Sequence, residues 1–270
     1  MGSQDQTLKK RTFRDKMLDI LYLRSIIMAN IEITGTNNLS VEQAISLVST
    51  KFSDSFGDSK QIAIDLLFET IKILQEYDIN YCLISGTLLG KIRHNDFIPW
   101  DDDIDLLVDD SFNNKLLDIL KKYGNKLTFL GVLDGKSGGK ICFTNRGTEM
   151  ATDYHGCKKQ ILNQNGKYNW PFVDLFVYNI KDDKIQFFNK DWDKDKFLPF
   201  IKTDFLGLNV NIPCDSDYFL KINFNEDYMT RLISNWYIHK NEESIPPEQV
   251  TSITMRGYIY IKNIMRENNE

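Results

Sequence analysis

At 270 residues and 42% apolar content, the chain can hold one large domain or a domain with an appendage, built around a true hydrophobic core. Its 33 basic and 38 acidic residues leave a formal net charge of −5, so whole-protein charge gives no reason to expect a nucleic-acid partner. Four scattered cysteines, Cys82, Cys142, Cys157 and Cys214, spell out neither a zinc knuckle nor a redox dithiol.

Residues 8 to 31 carry an imperfect helical stripe of Phe13, Met17, Ile20, Leu21, Leu23 and Ile27, best read as packing. Asp19, Arg24 and Ser25 interrupt its apolar stretch, so a membrane span is not expected and the chain reads as soluble and cytoplasmic. A second helix has a clear start: Ser40 as N-cap and Gln43 three residues on form a capping box ahead of Val41, Ala44, Ile45 and Val48. After a polar break at 52–59, the positions Ile64, Leu67, Phe68, Ile71 and Leu74 follow helical spacing, and Ile79 to Ser85 then reads as a strand. Ile84 to Gly90 turns through glycine into a helix, whose first backbone N–H groups would face a bound phosphate.

Trp100-Asp-Asp-Asp-Ile-Asp105 follows, and if this run enters a strand, alternation places Asp101, Asp103 and Asp105 on one face, with neighbours about 6.6 Å apart. Parallel carboxylates repel unless a cation sits between them. Phe112 to Tyr123 is an amphipathic helix ending at Gly124, and Leu127 to Val132 and Lys140 to Thr144 are short strands with Gly-containing pairs between them. Residues 146–170 read as a long loop, and Phe172 to Ile180 as a strand with one inward-capable acid, Asp174. A hairpin around Phe205 to Ile212 and helices over Asp215–Ile222 and Glu248–Arg266 complete the chain.

The chemistry pointed to is phosphoryl transfer, which needs alignment and charge neutralisation, tasks suited to one or two Mg²⁺ ions about 3.5–4 Å apart. Asp103 and Asp105 supply a hydrophobic-Asp-hydrophobic-Asp pattern, and Asp174 is the natural third ligand if its strand lies next to theirs; oxygen ligands favour Mg²⁺ or Mn²⁺ over zinc. An EF-hand is excluded, because Leu106 and Phe112 stand where the calcium loop requires Gly and Glu. Lys91, Arg93 and His94 are placed either at the phosphates or on an exposed helix end. A solvated acidic loop is the plain alternative for Asp101 to Asp105, and a buried hydrogen-bonded carboxylate for Asp174. His155 and His239 have no partner visible from spacing, so core or surface roles are the default.

The segment Ser85-Gly-Thr-Leu-Leu-Gly-Lys-Ile-Arg-His-Asn-Asp-Phe-Ile-Pro-Trp-Asp-Asp-Asp-Ile-Asp105 resembles the signature of the LicD/fukutin family. Trp170-Pro-Phe-Val-Asp-Leu-Phe176 and the Leu208–Tyr228 run are similar to later family motifs. The resemblance covers roughly residues 60–240 and implies an α/β (α+β) nucleotidyltransferase-like mixed β-sheet flanked by helices as the catalytic domain; the helical N-terminal arm (1–59), which matches nothing in the family, and the C-terminal helix (241–270) are read from periodicity alone. The resemblance also implies transfer of a phosphorylated alcohol, such as phosphocholine or ribitol phosphate, from a CDP-alcohol donor to a saccharide or glycan acceptor, releasing CMP. Carried over, Ser85, Gly86 and Thr87 approach the donor diphosphate, Asp103 and Asp105 hold Mg²⁺, and Asp174 completes the site or deprotonates the acceptor. Asp101 and Asp102 fall in the same motif as further ligand candidates, one of them a supporting carboxylate. An NTP-dependent nucleotidyltransferase releasing pyrophosphate, or a silent nucleotide- or glycan-binding module of the same fold, remains open as an alternative. A DxD glycosyltransferase is disfavoured, since residues 1 to 80 read as mostly helical rather than as a βαβ region.

Overall fold

The computed structural model describes residues 31–33, 39–131, 139–143, 150–152, 158–160, 170–241 and 243–267. The helix read over residues 8–31 lies almost wholly outside this set, as do His155 and Cys157. Within the loop read over 146–170, two short antiparallel strands, Met150–Thr152 and Lys158–Gln160, are described. The chain divides into two compact units.

The larger unit, Ser53–Met229 with Asn235–Ile245, is built on a seven-stranded mixed sheet. Its elements run α1 (Lys60–Glu76), β1 (Tyr81–Leu83), α2 (Ser85–His94), β2 (Ile104–Asp109), α3 (Ser111–Tyr123), β3 (Leu127–Gly131), β4 (Gly139–Phe143), β5 (Val173–Lys181), β6 (Lys184–Phe187) and β7 (Lys190–Asp193). The path is β7-β6-β5-β2-β1, with β4 also paired to β5 and to β3. β2 and β5 are parallel neighbours at its centre, and β1 joins β2 antiparallel.

A central strand is covered on both faces, and β2 reads accordingly as a near-continuous apolar run, with Ile104, Leu106, Leu107 and Val108 fully buried. α1 buries Ala63, Leu66, Leu67, Thr70, Ile71, Ile73 and Leu74. That stripe is rotated from the one read off the sequence, since Phe68 stays 48% exposed. The strand expected over Ile79–Ser85 is only Tyr81–Leu83, because Ser85 already opens α2. α2 closes at Asn95 in the left-handed conformation and the chain doubles back against it. Gly90 makes that return possible: a Cβ there would stand 2.6 Å from the Asp96 carbonyl oxygen.

The smaller unit gathers residues up to Phe52, Thr230–Ser234 and Pro246–Glu270. Its described part holds a three-stranded antiparallel sheet in which Thr251–Thr254 pairs with both Ile31–Ile33 and Arg231–Ile233. The helix expected over Glu248–Arg266 is therefore shorter, Met255–Glu267, and is preceded by the β-branched Thr251–Thr254 strand. The Ser40 cap is present with both reciprocal bonds, Gln43 N–H to Ser40 Oγ at 3.2 Å and Ser40 N–H to Gln43 Oε1 at 2.7 Å. Among the described residues, no helix is long and apolar enough to cross a membrane.

Candidate functional site

Parallel pairing of β2 with β5 puts Asp105 opposite Asp174 in register, both near the N-terminal ends of their strands. The strand expected from Trp100 starts only at Ile104, so Asp101, Asp102 and Asp103 sit in the approach to it. Among the described residues, Asp103, Asp174 and His239 each offer one ligand atom, all within 4.8 Å of one another. β4 borders β5 on the other side with Lys140 directly across from Asp174. The Lys140 ammonium donates to both carboxylate oxygens of Asp174, at 2.6 and 2.8 Å.

Asp102 is held by the segment around His239. It is 1% exposed and accepts the backbone N–H groups of His239 and Lys240 at 3.2 and 2.8 Å, and lies 3.0 Å from His239 Nδ1. Asn235 Nδ2 donates to the Trp100 carbonyl, so the returning segment is pinned to the acidic loop at two points. His239 Nε2 then reaches to 3.1 Å from Asp103 Oδ2. A carboxylate at Nδ1 with Nε2 facing other acids is the arrangement that orients a metal-ligating imidazole.

Burial raises the Asp103 carboxyl to about 6; His239 and Lys140 oppose that rise, while Asp174 and Asp102 add to it. Asp105 is held well above the ordinary carboxylate range by burial and by Asp103, Asp101 and Asp174, against a bond of 3.1 Å from the Gly86 N–H. Asp101 is likewise pushed well up, by burial and then by Asp103 and Asp102. Burial raises Asp174 too, even against the Lys140 charge. For His239 burial acts downward, but the Asp102 hydrogen bond and the charges of Asp103 and Asp102 prevail and raise it. All four acids disfavour their ionised forms, burial being the first cause in each, and neighbouring acids add to it for Asp101, Asp103 and Asp105.

The glycine-threonine corner meets this cluster from β1. Ser85 begins α2 at φ +48°, an uncommon backbone conformation for a residue with a side chain. A Cβ on Gly86 would stand 2.2 Å from Asp101 Oδ2, so a side chain there would push the Asp101 carboxylate aside. Thr87 is buried and its hydroxyl oxygen accepts the Asp105 N–H at 2.8 Å, locking the corner to β2. The far end of α2 is occupied elsewhere: Lys91 donates to Asn95 Oδ1 at 2.7 Å, and Arg93 donates to the Tyr228 carbonyl at 2.8 Å and to His94 Nε2 at 3.0 Å. His94 lies edge-on to Trp100 and is pushed down to about 4 by burial and the Arg93 charge. Arg93 is lowered to about 10 by burial, with the charge of Asp101 opposing.

Sequence patterning left His239 as a core or surface residue and did not single out Lys140. The structure corrects the first: His239 stands on the acidic cluster. No local spacing could have shown it, since 137 positions separate it from Asp102.

A family model described as "LicD/FKTN/FKRP, nucleotidyltransferase domain" matches residues 78–215, just over half of the chain. The chain belongs to the LicD family. The match spans α2, the acidic approach to β2, and β5, so Gly86, Asp103, Asp105 and Asp174 all lie inside the LicD domain, and His239 lies beyond it. A lipopolysaccharide cholinephosphotransferase LicD of Haemophilus influenzae is 29% identical over 126 residues, 45% of this chain and 43% of that protein. An uncharacterized protein of Rickettsia prowazekii is 46% identical over 41 residues, 15% of each. The LicD-family chain thus spans less than half the length of the curated relatives it matches. Among solved structures, the lincomycin-bound lincosamide antibiotic adenylyltransferase LnuA gives a TM-score of 0.32 at 13% identity, covering 55% of this chain and 78% of that one.

Proposed function

We propose that this LicD-family protein is a metal-dependent phosphotransferase that moves a phosphorylated alcohol, of the phosphocholine or ribitol/glycerol phosphate type, from a CDP-linked donor to a glycan hydroxyl with release of CMP. The observation that carries the reading is the convergence of Asp103, Asp174 and His239 within 4.8 Å, beside Asp105 and the Gly86 corner. The printed activity of the Haemophilus relative, transfer of a cholinephosphate in lipopolysaccharide, supports a saccharide acceptor and a choline-type donor.

The donor set and the buried acids crowded beside it fit a divalent cation. Asp103, Asp174 and His239 would hold Mg²⁺ or Mn²⁺, with Asp105 and Asp101 beside them. When bound, such an ion neutralises charge on the non-bridging phosphate oxygens. The acceptor hydroxyl oxygen forms a bond to the alcohol-bearing phosphorus of the donor, and the bond from that phosphorus to the bridging oxygen breaks. CMP leaves with that oxygen and its electron pair. Asp105, held beside the ligand residues by the Gly86 N–H at 3.1 Å, takes up the hydroxyl proton. Ser85 and Gly86 form the wall the diphosphate meets, with Thr87 buried behind them and locking the corner to β2.

A ligand-stability screen of CTP, CDP-choline, CDP-ribitol, CDP-glycerol and UDP-sugars, with and without Mg²⁺, tests the donor class. Selective, metal-dependent stabilisation by a CDP-alcohol followed by CMP release is the expected result. The family model's description as a nucleotidyltransferase domain favours one second reading, attack on the α-phosphate of an NTP. Pyrophosphate in place of CMP would establish it, and ion binding without any product would point to a silent binding module.

A further inference from the structure

We propose that Lys140 is the resident counter-ion of the acidic cluster, holding in the ion-free protein the charge position that a divalent cation takes on binding, and that it lets go of Asp174 when the cation enters. This rests on the metal-dependent reading above. The placement is built by the backbone: β4 pairs with β5 so that Lys140 and Asp174 face each other across the ladder. The ammonium covers both oxygens of the carboxylate, at 2.6 and 2.8 Å, while an oxygen of the same carboxylate also belongs to the group of ligand atoms with Asp103 and His239. A cation using Asp174 therefore contends with an ammonium already there.

Lys140 is equipped for exchange rather than for permanent burial. Its side chain is 28% exposed against 14% for Asp174, which leaves the ammonium a route to water. The ammonium also lies 3.8 Å from the centroid of the Phe172 ring, a second attraction that keeps it near the site after the carboxylate is surrendered. Its charge acts on Asp174, Asp103 and His239 alike, so one ammonium offsets part of the charge of the whole group a cation would join. A lysine that merely braced Asp174 would make the opposite prediction, because its removal would loosen a ligand and weaken ion binding.

Titration calorimetry of Mn²⁺ and Mg²⁺ into the full chain at pH 8 separates the two. Lys140→Met keeps the stem along Phe172 and removes the charge, and it should tighten Mn²⁺ binding about tenfold or more relative to wild type. Lys140→Arg retains the charge and should stay close to wild type. Equal or weaker binding by Lys140→Met, with ion binding intact in the wild type, overturns the exchange and leaves the metal reading standing. No ion binding by any of the three proteins removes the metal reading and this inference with it. A second measurement uses the wild type alone: labelling of Lys140 by an amine-reactive reagent, read by mass spectrometry, should speed up several-fold at saturating Mg²⁺. An unchanged or slower rate overturns the proposal, whether or not the Met variant folds.

Discussion

One strand carries aspartates at both ends, and they live in opposite circumstances. At the C-terminal end of β2, Asp109 accepts from the Asn80 N–H at 2.9 Å, from Asn80 Nδ2 at 2.7 Å and from the Ser111 N–H at 3.0 Å, with the Ser111 hydroxyl also bonded to it. Those donors tie the strand to the start of α3 and meet most of what a carboxylate requires. At the N-terminal end, Asp105 takes one amide from Gly86 and is crowded by Asp101, Asp103 and Asp174. An acid supplied with donors is structural. An acid supplied mainly with other acids is the kind whose charge the proposed cation would offset.

Substitution at the two ends should therefore separate activity from stability. Asp103→Asn or Asp105→Asn is expected to lower CMP release by at least about a thousandfold, since the first removes a charged ligand of the proposed ion and the second the group that takes up the acceptor proton. The ion-free melting temperature should hold or rise, because one repelling carboxylate has gone. Turnover near wild type in both variants would dissolve the proposed centre.

Asp102→Ala tests the support beneath the cluster. Three hydrogen-bond donors on His239 and Lys240 lose their acceptor, so Mn²⁺ affinity measured by calorimetry should fall roughly 10- to 100-fold, the usual cost of removing a residue that orients a ligand. Asp109→Ala is the mirror experiment: denaturant unfolding should show a loss of about 1–3 kcal/mol from unsatisfied donors, with kcat unchanged. A drop in kcat with stability intact would erase the contrast between the two ends.

How much of this was legible in the sequence follows from how far each signal reaches. The helix, strand, glycine turn, helix, strand order from Ile62 to Val108 is carried by local periodicity, and the Ser40 cap by local chemistry; the hairpin read around Phe205 to Ile212 is present but begins earlier, with Ile201–Phe205 pairing to Leu208–Ile212. The glycine corner was readable as a strand-to-helix turn, although what crowds Gly86, the Asp101 side chain, was not. His239 and Lys140 were not readable, since one arrives through a chain excursion into the other unit and the other through β4 pairing to β5. Thr251–Thr254 went unread for a related reason: its pairing partners, Ile31–Ile33 and Arg231–Ile233, are remote in sequence, and only pairing makes so short a run a strand.

The smallest effect, and the one that tests the acid-rich end most directly, is the pH dependence of ion binding. Because Asp103 is raised to about 6, the folded protein holds that proton more tightly than the unfolded chain does. Its contribution to ion-free stability is thus full below the ordinary carboxylate value and is lost as pH rises through about 6. A divalent ion must displace the same proton, so Mn²⁺ affinity should climb by up to about tenfold per pH unit below pH 6, with no further contribution from Asp103 above it. His239, also raised, extends the rise toward neutral pH, since its imidazole must be neutral to act as a ligand. Calorimetry at pH 5, 6, 7 and 8 in buffers of differing ionisation enthalpy would report the protons released at each point. A flat affinity with no proton release would mean that the acids are already ionised and satisfied, and the two ends of β2 would then be alike.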